Sequence, residues 1–347
     1  MRILVTGGAG MVGSHCAEYY AKDKRNKVIV YDNLMRSRIF ASKKKSVEYN
    51  WHYLHQYKNI DFWKNDIRDA SALDKCFKRF KPDVVLHTAG QPGVGFSLEN
   101  PLDDFSINCV GTVNVLDALR RYNPKGALVY CSTNKVFGDN VNDIPLVEKK
   151  TRYDFRRKGG VSERHGVDHT GHTPYGVSKL SGDLYVQDYA HTYGMKTGVF
   201  RMSCIYGTRQ FGFEDQGWIA WFSICYLAGR DISIYGDGKQ VRDVLWVEDL
   251  VQAYDKFLKS PLKHAVINVG GGVKNTMSLL ELVGYLDEIT GRKVKVKFKP
   301  WRKFDQKVYI SDIARAKKML GWSPKVSPRE GVQRMVSWLQ GAAGLFS

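Results

Sequence analysis

Through the first third of the chain, short apolar runs alternate with amphipathic stretches. Arg2–Thr6, Lys27–Tyr31, Ile60–Lys64, Asp83–His87 and Ala127–Cys131 are rich in Val, Ile and Leu and bounded by Gly, Asn, Asp or Pro. They predict strands. The stretches near Val12–Ala21, Ser71–Phe80 and Pro101–Tyr122 predict helices between them. Strand-helix alternation of this kind predicts an α/β fold with a parallel sheet covered on both faces. The pattern continues through a helix near Tyr175–Tyr193 and a strand near Lys196–Arg201, then loosens after Gly207. There Gln216–Leu227 predicts an aromatic helix, Val241–Val247 a strand, Ser278–Ile289 an amphipathic helix and Val294–Phe298 a half-exposed strand. Asp139–Thr173 is polar, basic and irregular, and loops of that length inside a domain are usually functional or mobile.

Composition narrows this picture. At 347 residues and 43% hydrophobic, the chain can bury a large core. No apolar run is long enough to cross a bilayer. The first apolar stretch, Ile3-Leu4-Val5, runs into glycines without an h-region, so a cytoplasmic protein is expected. Cys16, Cys76, Cys109, Cys131, Cys204 and Cys225 form no CxxC pair, which predicts reduced, mostly buried thiols and no structural zinc. The net charge of +18 suits anionic ligands and would also suit RNA or DNA. Part of it lies in runs such as Lys43-Lys44-Lys45 and Arg156-Arg157-Lys158, whose ordinary reading is solvated surface.

Candidate chemistry begins where the first strand ends. Thr6-Gly7-Gly8-Ala9-Gly10-Met11-Val12-Gly13 spaces Gly7, Gly10 and Gly13 as GxxGxxG between a strand and a helix. Such a turn brings backbone N–H groups and a helix N-terminus to a pyrophosphate. The next strand ends in Tyr31-Asp32-Asn33, about twenty residues on. There a carboxylate can bind both adenosine ribose hydroxyls and repel the extra phosphate of NADP. NAD is the cofactor expected. Asp66, after the third strand, is a candidate for the adenine amino group.

Tyr175 and Lys179 stand at i and i+4 just after Pro174, so a helix would present both on one face. A phenol of pKa near ~10 is a poor base at neutral pH. A neighbouring ammonium is expected to lower that value. The phenolate could then take a proton from a substrate hydroxyl as hydride leaves for nicotinamide. Thr133, at the end of the fifth strand, is a candidate hydrogen-bond partner for the reacting oxygen.

Together these blocks resemble the extended short-chain dehydrogenase/reductases. The likeness runs through Thr6–Gly13, Asp32-Asn33, Asp66-Ile67-Arg68, His87-Thr88-Ala89-Gly90, Asn108 with Gly111-Thr112, Tyr175–Lys179 and Gly236–Val247. It implies a Rossmann-type doubly wound parallel sheet with a smaller C-terminal α/β substrate-binding lobe. Residues 1–203 are expected to bind NAD, with 232–262 returning to that domain, and 204–347 to form mainly the substrate lobe. The resemblance implies a catalytic Thr133, Tyr175 and Lys179. Its cofactor contacts would be Gly7, Gly10, Met11, Val12, Asp32, Asn33, Asp66, Ile67, Ala89, Gly90, Gln91, Asn108, Tyr175, Lys179 and Met202.

Within that family, Ser132–Gly138, Tyr206–Phe211, Asp215–Trp218, Gly236–Leu245 and Pro300–Gln306 resemble members that epimerise a nucleoside-diphosphate hexose at C2 through a 2-ketosugar. Substrate contacts implied are Thr133, Asn134, Lys135, Cys204, Arg209, Gln210, Gln216, Gly217, Gln240, Arg242, Arg302 and Asp305. Arg242 and Arg302 would hold the diphosphate. A CDP-hexose is the favoured substrate, and a homodimer or homotetramer built on helix pairs the expected assembly. Related 4,6-dehydratases carry an acidic pair after the catalytic threonine. Asn134-Lys135 supplies no acid, which argues against dehydration. Cys204 replaces the usual asparagine before Tyr-Gly. Two other readings stand beside this one: C4 epimerisation of a UDP- or GDP-sugar, and a non-catalytic RNA-binding member of the superfamily. The intact Tyr175–Lys179 pair and glycine loop argue against the second, so no nucleic-acid or membrane partner is expected. His165, His169 and His172 cluster before Tyr175, but no nearby carboxylate completes a metal set.

Overall fold

The computed structural model describes residues 1–36, 44–214, 216–302 and 305–345. Lys43, Asp215, Lys303 and Phe304, which figured in the sequence patterns, lie outside the described residues. The chain divides into two compact units, taken separately below.

The first unit comprises residues 1–136, 173–201 and 251–267. Its strands are β1 (Arg2–Thr6), β2 (Lys27–Asp32), β3 (Ile60–Lys64), β4 (Val84–His87), β5 (Ala127–Thr133), β6 (Lys196–Met202) and β7 (His264–Val269). They form one seven-stranded parallel sheet in the order β7-β6-β5-β4-β1-β2-β3. The order turns back beside β1, where β1 pairs in parallel with both β2 and β4. In open α/β sheets, ligands bind beyond the carboxyl ends of the strands at such a reversal. The helices are α1 (Met11–Ala21), α2 (Lys44–Leu54), α3 (Ala70–Phe80), α4 (Val94–Glu99), α5 (Pro101–Phe105), α6 (Gly111–Tyr122), α7 (Thr173–Tyr193) and α8 (Val247–Lys259). The α3 helix shows how local sequence sets an element. Asp69 caps it by accepting from Ala72 N at 2.9 Å, and Leu73, Cys76, Phe77 and Phe80 are its buried apolar face. That face joins Leu4, Ile29, Val85, Leu116, Leu128 and Val199 in a continuous core.

The predicted helix over 101–122 is a helical run in three parts, with the π-helical turn Ser106–Val110 between α5 and α6. The extra residue in that turn widens the helix at Asn108, and such bulges are frequent at functional sites. Four elements of this unit were not foreseen: α2, α4, α8 and β7, the last of which completes the sheet edge.

The second unit comprises 137–172, 202–250 and 268–347. This differs from the division at residue 203 with 232–262 returning. The segment after β5 groups here because its backbone is held here. Val161 bridges Ser311, Tyr153 N donates to Lys239 O at 2.8 Å, and Gln306 Nε2 donates to Gly138 O at 3.0 Å. The stretch 139–173 is also less irregular than its composition suggested, since Leu146–Glu148 and Tyr153–Phe155 form an antiparallel hairpin. The strand Val241–Trp246 pairs with Cys204–Tyr206 and Val308–Tyr309, which keeps 232–250 in this unit; the returning segment is 251–267. The aromatic helix begins at Trp218, because Gly217 at φ 74° cannot continue a right-handed helix. Its residues Ile219, Phe222 and Tyr226 pack with Trp246, Leu282, Leu286 and Met335. No helix among the described residues is long and apolar enough to cross a membrane.

Candidate active site

The turn after β1 is shaped by close backbone approach. Gly7 adopts φ 66°, and a Cβ there would lie 2.6 Å from Ala89. A Cβ on Gly13 would lie 2.2 Å from Gly7 O. Gly10 differs: a Cβ there would meet only Gly7 O, at 3.1 Å, so the turn is open on that side. Gly10 begins α1 without a side-chain cap. The first-turn N–H groups, Met11 and Val12 among them, are therefore available to an anion. This cradle fits a pyrophosphate.

Asp32 sits at the end of β2 and accepts from Ala9 N at 2.9 Å and Leu34 N at 2.8 Å. Burial pushes its pKa up, and the two N–H bonds only partly offset that. Asn33 donates to Asp66 Oδ2 at 2.8 Å, and Arg68 forms a 2.8 Å ion pair with the same carboxylate. Burial is the largest single influence on Asp66 and works against its ionisation, but the hydrogen bonds from Arg68 and Asn33 together with the Arg68 charge outweigh it and hold the pKa below the usual carboxylate range. Ile67 packs under Gly111, where a Cβ would come within 2.5 Å of its side chain. Asp32, Asn33 and Asp66 are thus one connected group, and Met202 is the last residue of β6.

The α7 helix starts at Thr173 with Pro174 in its first turn, as the sequence predicted. Tyr175 N donates to Ser97 Oγ at 3.1 Å. The Thr133 side chain acts on the Tyr175 phenol, drawing its pKa down against burial. Thr133 in turn donates to Asn134 Oδ1 at 3.3 Å and accepts from Lys135 N at 3.2 Å. Lys179 is buried, with Nζ 4.2 Å from the centre of the Tyr130 ring. Gly182 lets α7 lie close to β5, since a Cβ there would be 2.4 Å from Tyr130 Oη.

The electrostatics correct one expectation. Burial lowers the Lys179 pKa to about 8. Burial also raises Tyr175 to about 12, with Thr133 opposing and the Asp104 charge reinforcing. The phenol of the ligand-free protein is therefore a weaker acid than free tyrosine. Desolvation of two buried groups outweighs the helix-face proximity on which the expected lowering rested.

A buried polar frame surrounds this pair. Asp183 accepts from Ser132 Oγ at 2.6 Å and pairs with Arg201 at 2.9 Å. Asn108 Oδ1 accepts from Gln91 N at 2.8 Å, and its amide donates to Gln91 O, Asp104 Oδ1 and Ser178 Oγ, each at 3.1 Å. A Cβ on Gly90 would lie 3.0 Å from Asn108 Oδ1 and 3.7 Å from Lys179 Nζ. Ala89, Gly90, Gln91, Asn108 and Lys179 are thereby brought together. Sequence reasoning missed Asp104, Ser178 and Tyr130. Ser178 was within the Tyr175–Lys179 motif, but its partner lies 74 residues away.

The remaining candidates lie in the second unit. Cys204 is half-buried, desolvation pushes its thiol up to about 12, and its sulfur accepts from Trp218 Nε1 at 3.1 Å. Arg209 is buried with φ 58°, in the left-handed region that favours glycine. Gln210 Nε2 would meet a Cβ on Gly217 at 2.9 Å, which places Gln210 against the Gln216-Gly217 turn. The Oε1 atoms of Gln210, Gln216 and Gln240 are buried without a hydrogen-bond partner among the described residues. Buried acceptors left this way fit a ligand that brings donors. Arg242 pairs with Asp305 at 2.7 Å, and the Arg302 guanidinium lies 3.8 Å from the centre of the Tyr235 ring. Among the described residues, no group of three His, Cys, Asp or Glu could hold a metal ion.

Comparison with known proteins agrees with this arrangement. The CDP-paratose 2-epimerase of Salmonella typhi is 39% identical, covering 97% of this chain and 99% of its own. The solved UDP-glucose 4-epimerase of Thermotoga maritima, with UDP-glucose, superposes at TM-score 0.82 and 31% identity, covering 99% of this chain and all of its own. The UDP-glucuronic acid 4-epimerase of Bacillus cereus, with UDP-glucuronic acid and NAD, gives TM-score 0.83 and 26% identity over 99% of this chain and all of its own. The glycine cradle, the acidic residue after β2 and the Tyr175–Lys179 pair all lie within residues 3–270. That stretch matches the model of the NAD dependent epimerase/dehydratase family, to which this chain belongs.

Proposed function

We propose that the protein epimerises a nucleoside-diphosphate hexose at C2, of the CDP-paratose/CDP-tyvelose kind, through a transient 2-ketosugar. The observation that carries the reading is the buried Lys179 one helical turn after Tyr175, with Thr133 opposing the upward shift of the phenol. The Gly7–Gly13 turn and Asp32 would hold NAD, which when bound would supply the hydride acceptor and donor, so that no net redox occurs. Tyr175 takes the hydroxyl proton and gives it back. Lys179 stabilises the phenolate, and Thr133 orients the reacting oxygen. The cationic field that ionises Tyr175 must overcome its upward shift, so activation waits on the bound state. Asn134-Lys135 offers no acid to expel water, which favours epimerisation over dehydration. Arg242 and Arg302 would bind the diphosphate, with Asp305 holding Arg242 beforehand. Gln210, Gln216 and Gln240 would accept from sugar hydroxyls or a base amino group.

The test is a panel of CDP-, UDP- and GDP-hexoses followed by NMR in D2O. A C2 epimer that keeps its own hydrogen at C2 is expected. Epimerisation at C4 of a UDP-sugar would replace this reading with the second one, which the likeness to solved UDP-sugar 4-epimerases favours. Tyr175→Phe should lower turnover by about 10²-fold or more with the fold intact. Turnover near the wild-type rate would remove Tyr175 from its role.

The protein is also proposed to be a homo-oligomer. Leu98, Leu102 and Phe105 on α4 and α5, and Val177, Leu184 and Tyr185 on α7, are exposed large apolar side chains. A second copy of the same face would cover them.

A further inference from the structure

Asp104, in α5, is fully buried, and its carboxylate gathers three donors from three segments. Its Oδ1 accepts from Gln91 Nε2 at 2.7 Å and Asn108 Nδ2 at 3.1 Å. Its Oδ2 accepts from Ser178 Oγ. Ser178 lies between Tyr175 and Lys179 and also faces Tyr175 O at 3.1 Å. Gln91 follows Gly90, the backbone beside Lys179 Nζ, and Asn108 stands in the π-turn. One carboxylate thus joins the strand-end loop, the widened helical turn and the helix that bears the candidate catalytic pair.

The charge of Asp104 sets it apart from the other buried carboxylate of this region. Asp183 is matched by Arg201. The three side-chain donors to Asp104 are neutral, and the cation whose charge acts on it is Lys179. Burial pushes the Asp104 pKa up, and what draws its charged form back is the three neutral donors together with the charge of Lys179.

We propose that Asp104 is a positioning residue for the Tyr175–Lys179 pair. It fixes α7 through Ser178, and its negative charge helps hold the Lys179 ammonium in a buried place. The step it serves is the proton exchange at Tyr175, so the inference rests on the reading of that pair given above. The other titratable groups around the pair are Asp183 with Arg201, Cys131, Tyr130 and His87. Asp183 supports the ammonium in the same sense as Asp104, and Cys131 does so only when ionised. Both Asp104 and Cys131 oppose ionisation of Tyr175. Removing the Asp104 charge should therefore lower the pKa of Tyr175 and of Lys179 together.

The experiment is the pH–rate profile of Asp104→Asn and Ser178→Ala beside wild type, all holoenzyme, with folding followed by circular dichroism. The amide of Asp104→Asn keeps the shape of the carboxylate and can donate to Ser178 Oγ, so the change removes charge and little else. Both limbs of its profile should move to lower pH by about one unit. Phenolate absorbance assigned by difference against Tyr175→Phe should move the same way. Ser178→Ala leaves the charge in place and cuts the tie, so it should lower kcat several-fold with limbs unmoved. Asp104→Asn limbs at their wild-type positions, or wild-type kcat in Ser178→Ala, would overturn the proposal. If Asp104→Asn does not fold, Ser178→Ala decides alone. A wild type that turns over no nucleotide sugar would instead sink the function on which this rests.

Discussion

Lys179 bears the clearest conflict between stability and function at the level of single residues. A lysine in the unfolded chain titrates near 10.5, and in the fold it titrates at about 8. Between those values the unfolded chain holds the proton more tightly, so this group makes stability rise with pH through that window. At neutral pH the buried ammonium is a net cost. Lys179→Met should therefore raise stability at pH 7 by roughly 1–3 kcal/mol while abolishing turnover. Thermal melts of the ligand-free proteins at pH 7 check this, and a lower Tm for the variant would refute it. The pair at i and i+4 was legible because helical spacing alone puts two side chains on one face. The direction of the Tyr175 shift was not, since burial comes from β5 and the α4–α6 run, which local sequence does not describe.

Individual elements make two further expectations. The glycine turn contains two kinds of glycine. Gly13→Ala would drive a Cβ to 2.2 Å from a backbone oxygen, which no side-chain motion relieves. It should cost several kcal/mol, roughly the scale of a severe core defect. Gly10→Ala meets one atom at 3.1 Å and should keep the fold within about 1 kcal/mol. Its methyl would stand in the candidate pyrophosphate cradle, so NAD affinity should fall at least tenfold by calorimetry. Unchanged affinity in Gly10→Ala would place the cofactor elsewhere. The apolar face on α4, α5 and α7 makes the second expectation. Leu102 is 83% exposed, and Leu102→Lys with Leu184→Lys should turn the oligomer into a monomer by light scattering. A wild type that is monomeric at micromolar concentration would dismiss the assembly. GxxGxxG after a strand could be read because turn chemistry is local. Which glycine packs and which faces a ligand could not.

For the whole molecule, the net charge of +18 should act on encounter with anionic ligands. The KM for the nucleotide sugar should rise several-fold from low to high ionic strength while kcat stays nearly level. A KM independent of salt would confine the charge to solvated surface. Filter binding of RNA at physiological salt, without turnover of any sugar nucleotide, would reverse the enzymatic reading.

By itself the sequence determined the α/β class, the glycine turn between β1 and α1, Asp32 after β2 and the Tyr175–Lys179 pair on one helix. Each rests on periodicity or on spacing within one or two elements, and those are local physics. The tertiary structure alone decided the rest. It assigned 137–172 to the second unit through bridges to residues as distant as Ser311. It added β7 to the sheet edge and brought Asp104 to Ser178 across 74 positions. Those choices depend on which buried polar groups find partners, and such partners are selected in space, without regard to separation along the chain.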